Sequence, residues 1–125
     1  MTRILLIDDE PRVSRALEYA LADRDVEVRS AADASDLNAL ALPDVPDVIL
    51  LDIALQNQDG LDVCRRLRAD PRFRNIPLLL LSGQTDAATK RAGFDAGADD
   101  FVAKPFVPDE LLARMDAQVR RRQSA

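Results

Sequence analysis

The sequence predicts an α/β fold in which helices cover both faces of a doubly wound, five-stranded parallel sheet. Segments with the pattern of strands alternate with helical segments five times along the 125 residues. Residues 4–7, 48–51 and 77–81 are continuous apolar runs, as expected of strands buried on both faces of a parallel sheet. Right-handed crossovers between such strands place helices on both faces.

The composition is that of one globular domain. The chain has 47% apolar and 31% charged residues, and no apolar stretch approaches the roughly 20 residues that a membrane-spanning helix needs. Its net charge of −5 argues against a general nucleic-acid-binding surface, which requires a basic field. Because Met1 leads into a strand without a signal-peptide pattern, we expect a cytoplasmic protein without membrane association.

The chain contains no histidine and a single cysteine, Cys64. The lack of histidine removes the commonest general base and transition-metal ligand, so the remaining ligands are carboxylates, which favour a hard cation. Cys64 has no partner for an internal disulfide and lies in a predicted helix. We therefore expect it to fill space as a small buried apolar group.

The five predicted strands differ in how they are buried. The second, residues 26–29, alternates apolar and polar side chains, which is typical of an edge strand. The third, residues 48–51, is wholly apolar and is predicted to lie at the centre of the sheet, where it ends in Asp52. The first, fourth and fifth strands are predicted at residues 4–7, 77–81 and 101–103.

Prolines and capping residues delimit the five predicted helices. Pro11 begins the first helix, where its missing N–H costs nothing, and Asp33 or Ser35 is expected to cap the second. The fourth helix is poor in large apolar residues and contains Gly93, so we expect it to be the least firmly held. The predicted helices are residues 11–24, a segment that ends at Pro43, residues 61–69, residues 86–96, and a last helix that begins near Pro108 and includes residues 120–122.

The carboxyl ends of all parallel strands lie along one edge of the sheet, where open α/β folds bind their ligands. This edge is therefore predicted to collect five polar side chains from four strands. They are Asp8 and Asp9 after the first strand, Asp52 after the third, Ser82 after the fourth and Lys104 after the fifth.

Three neighbouring carboxylates repel one another, and a divalent cation with oxygen ligands removes that conflict. Mg²⁺ suits such a site because it accepts one or two carboxylates together with waters and phosphate oxygens. With the charge of Lys104 and the hydroxyl of Ser82, the set fits phosphoryl transfer better than acid-base catalysis. Asp52 is the best candidate nucleophile, because it stands alone at the end of the central strand.

Motifs in a fixed order support the same interpretation. They are Ile7-Asp8-Asp9-Glu10, Leu51-Asp52-Ile53 with Asp59-Gly60, Leu81-Ser82-Gly83, Gly97-Ala98-Asp99-Asp100-Phe101 and Lys104-Pro105-Phe106. With these motifs the chain resembles, from about residue 3 to residue 121, the receiver domain of two-component response regulators. The resemblance implies a flavodoxin-like fold with strand order 2-1-3-4-5.

The resemblance assigns a metal site to this edge. Asp9 and Asp52 are expected to ligate Mg²⁺ directly, together with the main-chain carbonyl of Ala54, whereas Asp8 is expected to act through a water molecule. Mn²⁺ is an alternative ion.

It also assigns a phosphoacceptor and a switch. Asp52 is expected to accept a phosphoryl group from a phosphohistidine, and Ser82 and Lys104 to hold its oxygens. Ser82 and Phe101 are expected to form the switch that alters the face of the fourth helix, fifth strand and fifth helix. Self-catalysed transfer and slow autodephosphorylation are the only reactions expected, so the chain is not predicted to be an enzyme.

The resemblance also implies partners. These are a histidine kinase or phosphotransfer protein, a downstream protein or fused output domain, and a second copy of the chain in a homodimer, with no direct binding of nucleic acid. Residues 1–122 are expected to form the receiver, and residues 123–125 a tail or the start of a linker. The domain is expected either to stand alone or to be part of a larger regulator or hybrid kinase.

Some positions depart from the family pattern. Gln56 occupies the place where the family usually has proline, four residues after the phosphorylated aspartate, so the loop at residues 56–58 is expected to be more mobile. Ala54 is smaller than the usual occupant of its position, and Gln84 is long and polar. In the family these two positions flank the path of the water that attacks the phosphoryl group, so the resemblance leaves the lifetime of that group open.

Two other functions stay open from the sequence. An aspartate-nucleophile phosphatase commonly has a second aspartate two residues after the nucleophile, where this chain has Ala54. A degenerate module that is never phosphorylated is disfavoured by the intact set of five polar residues. A nucleotide-binding site is excluded, because no glycine-rich loop follows the first strand.

Overall fold

One parallel sheet organises the chain in the computed structural model, which describes residues 1–124 and the side chains of residues 1–122. The strand order β2-β1-β3-β4-β5 and the parallel pairing of every neighbour confirm the predicted fold. The strands are β1 (Thr2–Ile7), β2 (Val26–Ala31), β3 (Val48–Asp52), β4 (Leu78–Ser82) and β5 (Asp100–Ala103).

Five helices connect and follow the strands, as predicted. They are α1 (Pro11–Ala20), α2 (Leu37–Leu40), α3 (Gly60–Ala69), α4 (Ala87–Asp95) and α5 (Pro108–Ser124). Helix α1 ends at Ala20 and not near Arg24, because a turn closed by the Arg24 N–H to the Leu21 carbonyl follows it. Helix α5 continues through Ser124, and the remaining position of the predicted tail, residue 125, lies outside the described residues.

The cap of α2 differs from the predicted one. Asp36 caps this helix by accepting hydrogen bonds from the N–H groups of Asn38 and Ala39. Asp33 and Ser35 bond to each other instead, because the Asp33 carboxylate accepts from both the N–H and the hydroxyl of Ser35. These two residues close a turn before the helix, so the prediction that one of them caps it was wrong.

The sheet has an apolar core on each face, because successive strand residues point to opposite sides. On one face the strands pack with buried residues of α3, the α3–β4 connection and β5, among them Val63, Leu67, Phe73 and Phe101. On the other face they pack against α1 and α5 through Leu17, Leu111, Leu112 and Met115. All residues of β3 and β4 are buried, so these two strands form the rigid centre that carries Asp52 and Ser82.

Arg68 ties the amino-terminal edge of the sheet together. Its guanidinium donates to the carbonyls of Gly97 and Ile76 at 2.7 and 2.6 Å and to the Asp99 carboxylate at 2.7 Å. The other Asp99 oxygen accepts from Arg122 at 2.8 Å. This network joins α3, the segment before β4, the turn before β5 and the last turns of α5.

Cys64 is buried, as the sequence predicts, and its thiol donates to the Ala96 carbonyl. Burial raises the pKa of this thiol. Among the described residues, no helix is both long and apolar enough to cross a bilayer.

Candidate functional site

Asp8, Asp52 and Lys104 meet at the carboxyl edge of the sheet. The Lys104 ammonium lies 3.1 Å from Asp8 Oδ2 and 3.3 Å from Asp52 Oδ2. The register places these groups, since Ile7 pairs with Leu51, Asp52 with Leu81 and Ser82 with Ala103. The ends of β1, β3, β4 and β5 therefore lie side by side, and Lys104 forms ion pairs with two carboxylates.

Asp52 is held at the end of β3 with both oxygens engaged. Its side chain is only 3% exposed; Oδ1 accepts a hydrogen bond from the Ala54 N–H at 3.0 Å, and Oδ2 faces Lys104. A cleft lined by Asp52, Ala54, Gly83 and Lys104 leads from this carboxylate to solvent. A small anion can therefore approach a buried carboxylate beside a cation.

Asp8 and Lys104 shift each other's protonation in this buried setting. Burial raises the pKa of Asp8, because it outweighs the hydrogen bonds from the Glu10 N–H and from Lys104. Burial alone lowers the pKa of Lys104, but the hydrogen bond to Asp8 and the charges of Asp52 and Asp8 outweigh it, so the pKa is raised. Lys104 is thus a firmly charged cation shared by carboxylates that it does not fully neutralise.

Glu10 joins this cluster, and it is the residue that the sequence analysis missed. Carboxylate oxygens of Asp8, Glu10 and Asp52 all lie within 4.8 Å of one another. Glu10 Oε1 also lies 4.0 Å from the Lys104 ammonium. The signal was present in the run Asp8-Asp9-Glu10, but which members of that run face the site depends on how the chain turns into α1.

The donor set fits a hard divalent cation. Buried carboxylates with incomplete neutralisation favour a cation, and oxygen is the ligand that Mg²⁺ prefers. Asp9, by contrast, belongs to no group of acidic oxygens this close together among the described residues. One of its oxygens accepts a hydrogen bond from the Gln56 N–H at 2.6 Å.

The loop between β3 and α3 is held at several points. Besides the bond from Gln56 to Asp9, the side-chain oxygen of Gln58 accepts from the Ala34 N–H at 2.8 Å. The Gly60 N–H donates to the Ile53 carbonyl at 3.1 Å and closes the base of the loop. Gln56 and Gln58, two of the three residues that were expected to be more mobile in the absence of proline, thus each make a hydrogen bond to another segment.

Ser82 is buried at the end of β4, and its hydroxyl oxygen accepts from the Gln84 N–H at 3.0 Å. That bond leaves the hydroxyl proton free to donate toward the groove that Ser82 lines with Ala54, Gly83 and Ala88.

Phe101 of β5 is buried, with an exposed fraction of 7%. Gly93 of α4 allows the close approach, because an added Cβ would lie 3.4 Å from the Phe101 ring and 2.7 Å from Leu80 Cδ1. The ring therefore packs inward against α4 in this structure.

The family model of the response regulator receiver domain matches residues 4–116, which include the strand ends that carry the site. The chain belongs to the response regulator receiver family. Its match includes all the polar residues that meet at the carboxyl edge. The predicted family and strand order are thus both confirmed, and the receiver is a signalling domain.

Similar proteins include longer transcriptional regulators. This receiver is 44% identical over 121 residues to the DNA-binding dual master transcriptional regulator RpaA of Synechocystis, covering 97% of this chain and 50% of that one. It is 42% identical over 125 residues to the transcriptional regulatory protein KdpE of Mycobacterium tuberculosis, covering 100% and 54%. The chain thus spans about half the length of the curated relatives that it matches.

Solved structures agree with the fold. The receiver domain of the Francisella response regulator 1452 superposes with a TM-score of 0.85 at 26% identity, covering 97% of this chain and 98% of that one. The chemotaxis protein CheY4 of Vibrio cholerae gives a TM-score of 0.85 at 28% identity, covering 94% and 98%.

Proposed function

We propose that this receiver accepts a phosphoryl group onto Asp52 from the phosphohistidine of a histidine kinase or phosphotransfer protein. The observation that carries the proposal is the position of Lys104, 3.3 Å from a buried Asp52 carboxylate that opens onto a cleft. A carboxylate in that setting is oriented for attack, and the lysine stands where the incoming oxygens need a counter-charge.

The transfer exchanges one bond for another. An oxygen of Asp52 attacks phosphorus as the P–N bond to the donor imidazole breaks, and the imidazole nitrogen keeps the electron pair of that bond. Lys104 gives up its ion pair with Asp52 for the phosphoryl oxygens. Ser82 donates its free hydroxyl proton to another of these oxygens while it still accepts from Gln84.

Mg²⁺, with Mn²⁺ as an alternative, is the proposed cofactor, and when bound it offsets the negative charge of the phosphoryl group. Asp9 and Asp52 are proposed as direct ligands with the main-chain carbonyl of Ala54, and Asp8 as a ligand through water. The cluster of Asp8, Glu10 and Asp52 oxygens supports a cation at this place.

Phosphorylation is proposed to act through Ser82 and Phe101 on the face formed by α4, β5 and α5. The added charge and acceptor oxygens draw Ser82 toward the phosphoryl group, and Phe101 repacks beside it. Helix α4 is suited to respond, because Gly93 is its only buried residue.

The proposed partners follow from this role. They are the kinase or phosphotransfer protein, a downstream protein or fused output domain, and a second copy in a homodimer, with no nucleic acid or membrane bound by this domain. We also propose a cytoplasmic location and a receiver that comprises residues 1–122. Repeated turnover of phosphate esters is not proposed, because Ala54 supplies no second carboxylate.

Mass spectrometry after incubation with acetyl phosphate and Mg²⁺ tests the proposal. The expected result is a gain of one phosphoryl group that requires Mg²⁺ and disappears in Asp52→Asn. Asp62→Asn, which removes an exposed acid of α3, is the matched control and should still be labelled. Labelling of Asp52→Asn would refute the assignment, and sustained release of phosphate from p-nitrophenyl phosphate would indicate a phosphatase.

A further inference from the structure

A hydrogen bond joins two loops at the edge of the site. The main-chain N–H of Gln56, in the loop after β3, donates to Asp9 Oδ2, in the loop after β1, over 2.6 Å. The two residues are 47 positions apart in the sequence, so the bond ties separate segments together. Because its acceptor is a carboxylate, it belongs to the stronger class of protein hydrogen bonds.

Asp9 makes this bond while it stands outside the cluster of acids. Oxygens of Asp8, Glu10 and Asp52 gather within 4.8 Å of one another, whereas Asp9 contributes to no such group among the described residues. Asp9 must therefore move if one of its oxygens is to join this group of three. A move of that kind stretches or breaks the bond to Gln56.

The same bond limits the position of a second proposed ligand. Ala54 is fixed on one side by its N–H bond to Asp52 Oδ1 at 3.0 Å, and the chain is fixed again two residues later at Gln56. The Ala54 carbonyl lies between these two points. Release of Gln56 therefore frees the peptide that carries this carbonyl, while the bonds from Gly60 to Ile53 and from Ala34 to Gln58 keep the rest of the loop in place.

We propose that the hydrogen bond from Gln56 to Asp9 is a latch that a divalent cation opens when it binds. Gln56 is then a positioning residue that sets the cation affinity of the receiver through its main-chain N–H. Opening of the latch makes the Asp9 carboxylate and the Ala54 carbonyl available to the cation at the same time. The inference rests on the proposed function, because it assumes that the cation site includes Asp9.

Amide exchange in the unmodified protein tests the latch directly. The exchange of the Gln56 amide proton with water is measured by NMR as Mg²⁺ is added, with the amide of Arg72, bonded to Asp70 in the α3–β4 connection, as an internal reference. Saturation with Mg²⁺ should accelerate exchange at Gln56 several-fold and leave Arg72 unchanged. Unchanged or slower exchange at Gln56 would overturn the proposal.

Substitutions at Gln56 provide a second test by calorimetric titration with Mg²⁺. Gln56→Pro removes the N–H and should tighten Mg²⁺ binding about tenfold, because no hydrogen bond has to be given up. Gln56→Ala keeps the main-chain N–H and should bind as the unmodified protein does. Equal affinities of the proline and alanine variants would overturn the latch, and the exchange experiment decides the matter if the proline variant does not fold.

The two proposals fail in different ways. If Mg²⁺ binds, and Asp52→Asn abolishes that binding, but Gln56 exchange does not respond, the latch alone is wrong. If the unmodified protein shows no Mg²⁺ binding, the proposed cation site fails and the latch fails with it.

Discussion

The Lys104 ammonium lies 3.3 Å from Asp52 Oδ2, although β4 separates β3, which ends in Asp52, from β5, which Lys104 follows. The contact exists because Lys104 reaches over the end of β4, where its own N–H donates to the Ser82 carbonyl at 2.8 Å. A shift of β5 by one residue along β4 would remove the lysine from both carboxylates. The site therefore depends on the register of the β3–β4–β5 sheet.

Replacement of Lys104 by methionine should destabilise the metal-free protein by about 2 kcal/mol, because Asp8 and Asp52 then stay buried without a counter-charge. Urea unfolding monitored by circular dichroism measures the change. Addition of Mg²⁺ should restore part of the loss. Lys90→Met, which alters an exposed lysine of α4, is the control, and equal stabilities of the two variants would show that Lys104 does not compensate the acids.

Asp8→Asn should increase stability more at pH 7 than at pH 3. Burial raises the pKa of Asp8 above 3.8 in the folded protein, so the folded chain binds this proton more tightly than the unfolded chain. The stability that protonated Asp8 contributes is therefore present below pH 3.8, and it is lost as the pH rises through the raised pKa of Asp8 in the folded protein. The measurement is the difference in unfolding free energy between variant and unmodified protein at several pH values, and a difference independent of pH would contradict the shift.

Gly60→Ala should lower the free energy of unfolding by about 2 kcal/mol or more, because the added methyl group would clash with the main chain. Helix α3, which begins at Gly60, cannot move away without disturbing the end of β3. A Cβ at this position would lie 2.5 Å from Ile53 Cα and 2.6 Å from the Asp52 carbonyl oxygen, both main-chain atoms. Gly83→Ala is the matched control, because no heavy atom lies within 4 Å of a Cβ built there. Similar urea midpoints for the two variants would contradict the prediction.

The amides of α4 should exchange faster than those of α1 in hydrogen–deuterium exchange measured by mass spectrometry. Helix α1 buries Leu17, whereas Gly93 is the only buried residue of α4, so less apolar area opposes its opening. Beryllofluoride with Mg²⁺ should slow exchange in α4. A rate in α4 that does not respond to this phosphoryl mimic would count against the proposed switch.

The fold was predictable because its signals are local. Continuous apolar runs located β1, β3 and β4, and the alternation at residues 26–29 identified the edge strand β2. Parallel pairing alone predicts that the carboxyl ends of the strands lie at one edge of the sheet, and therefore that Asp8, Asp52 and Lys104 meet there. Local signals did not identify the cap of α2. Several polar residues precede this helix, and Asp33 and Ser35 are not available as caps because they bond to each other.

The placement of Asp9 and Glu10 could not be predicted from local signals. Both are acids just after β1. Asp9 is bonded to a main-chain donor 47 residues away, and the position of Glu10 depends on how the chain turns into α1. Any residue other than proline at position 56 offers that N–H, so the identity of the side chain carries no signal for the contact. Only the three-dimensional path of the β3–α3 loop brings the donor to Asp9.

Cys64 gives the domain a practical property for such experiments. It is the single cysteine of the chain, and its thiol is buried and hydrogen-bonded to the Ala96 carbonyl. Because burial also raises the pKa of the thiol, Cys64 should react slowly with maleimides. A cysteine introduced at an exposed position such as Thr85, near the end of β4, could then carry a fluorophore selectively without removal of the native one. Ligand-induced movement beside the cleft would become readable from the emission of a single dye.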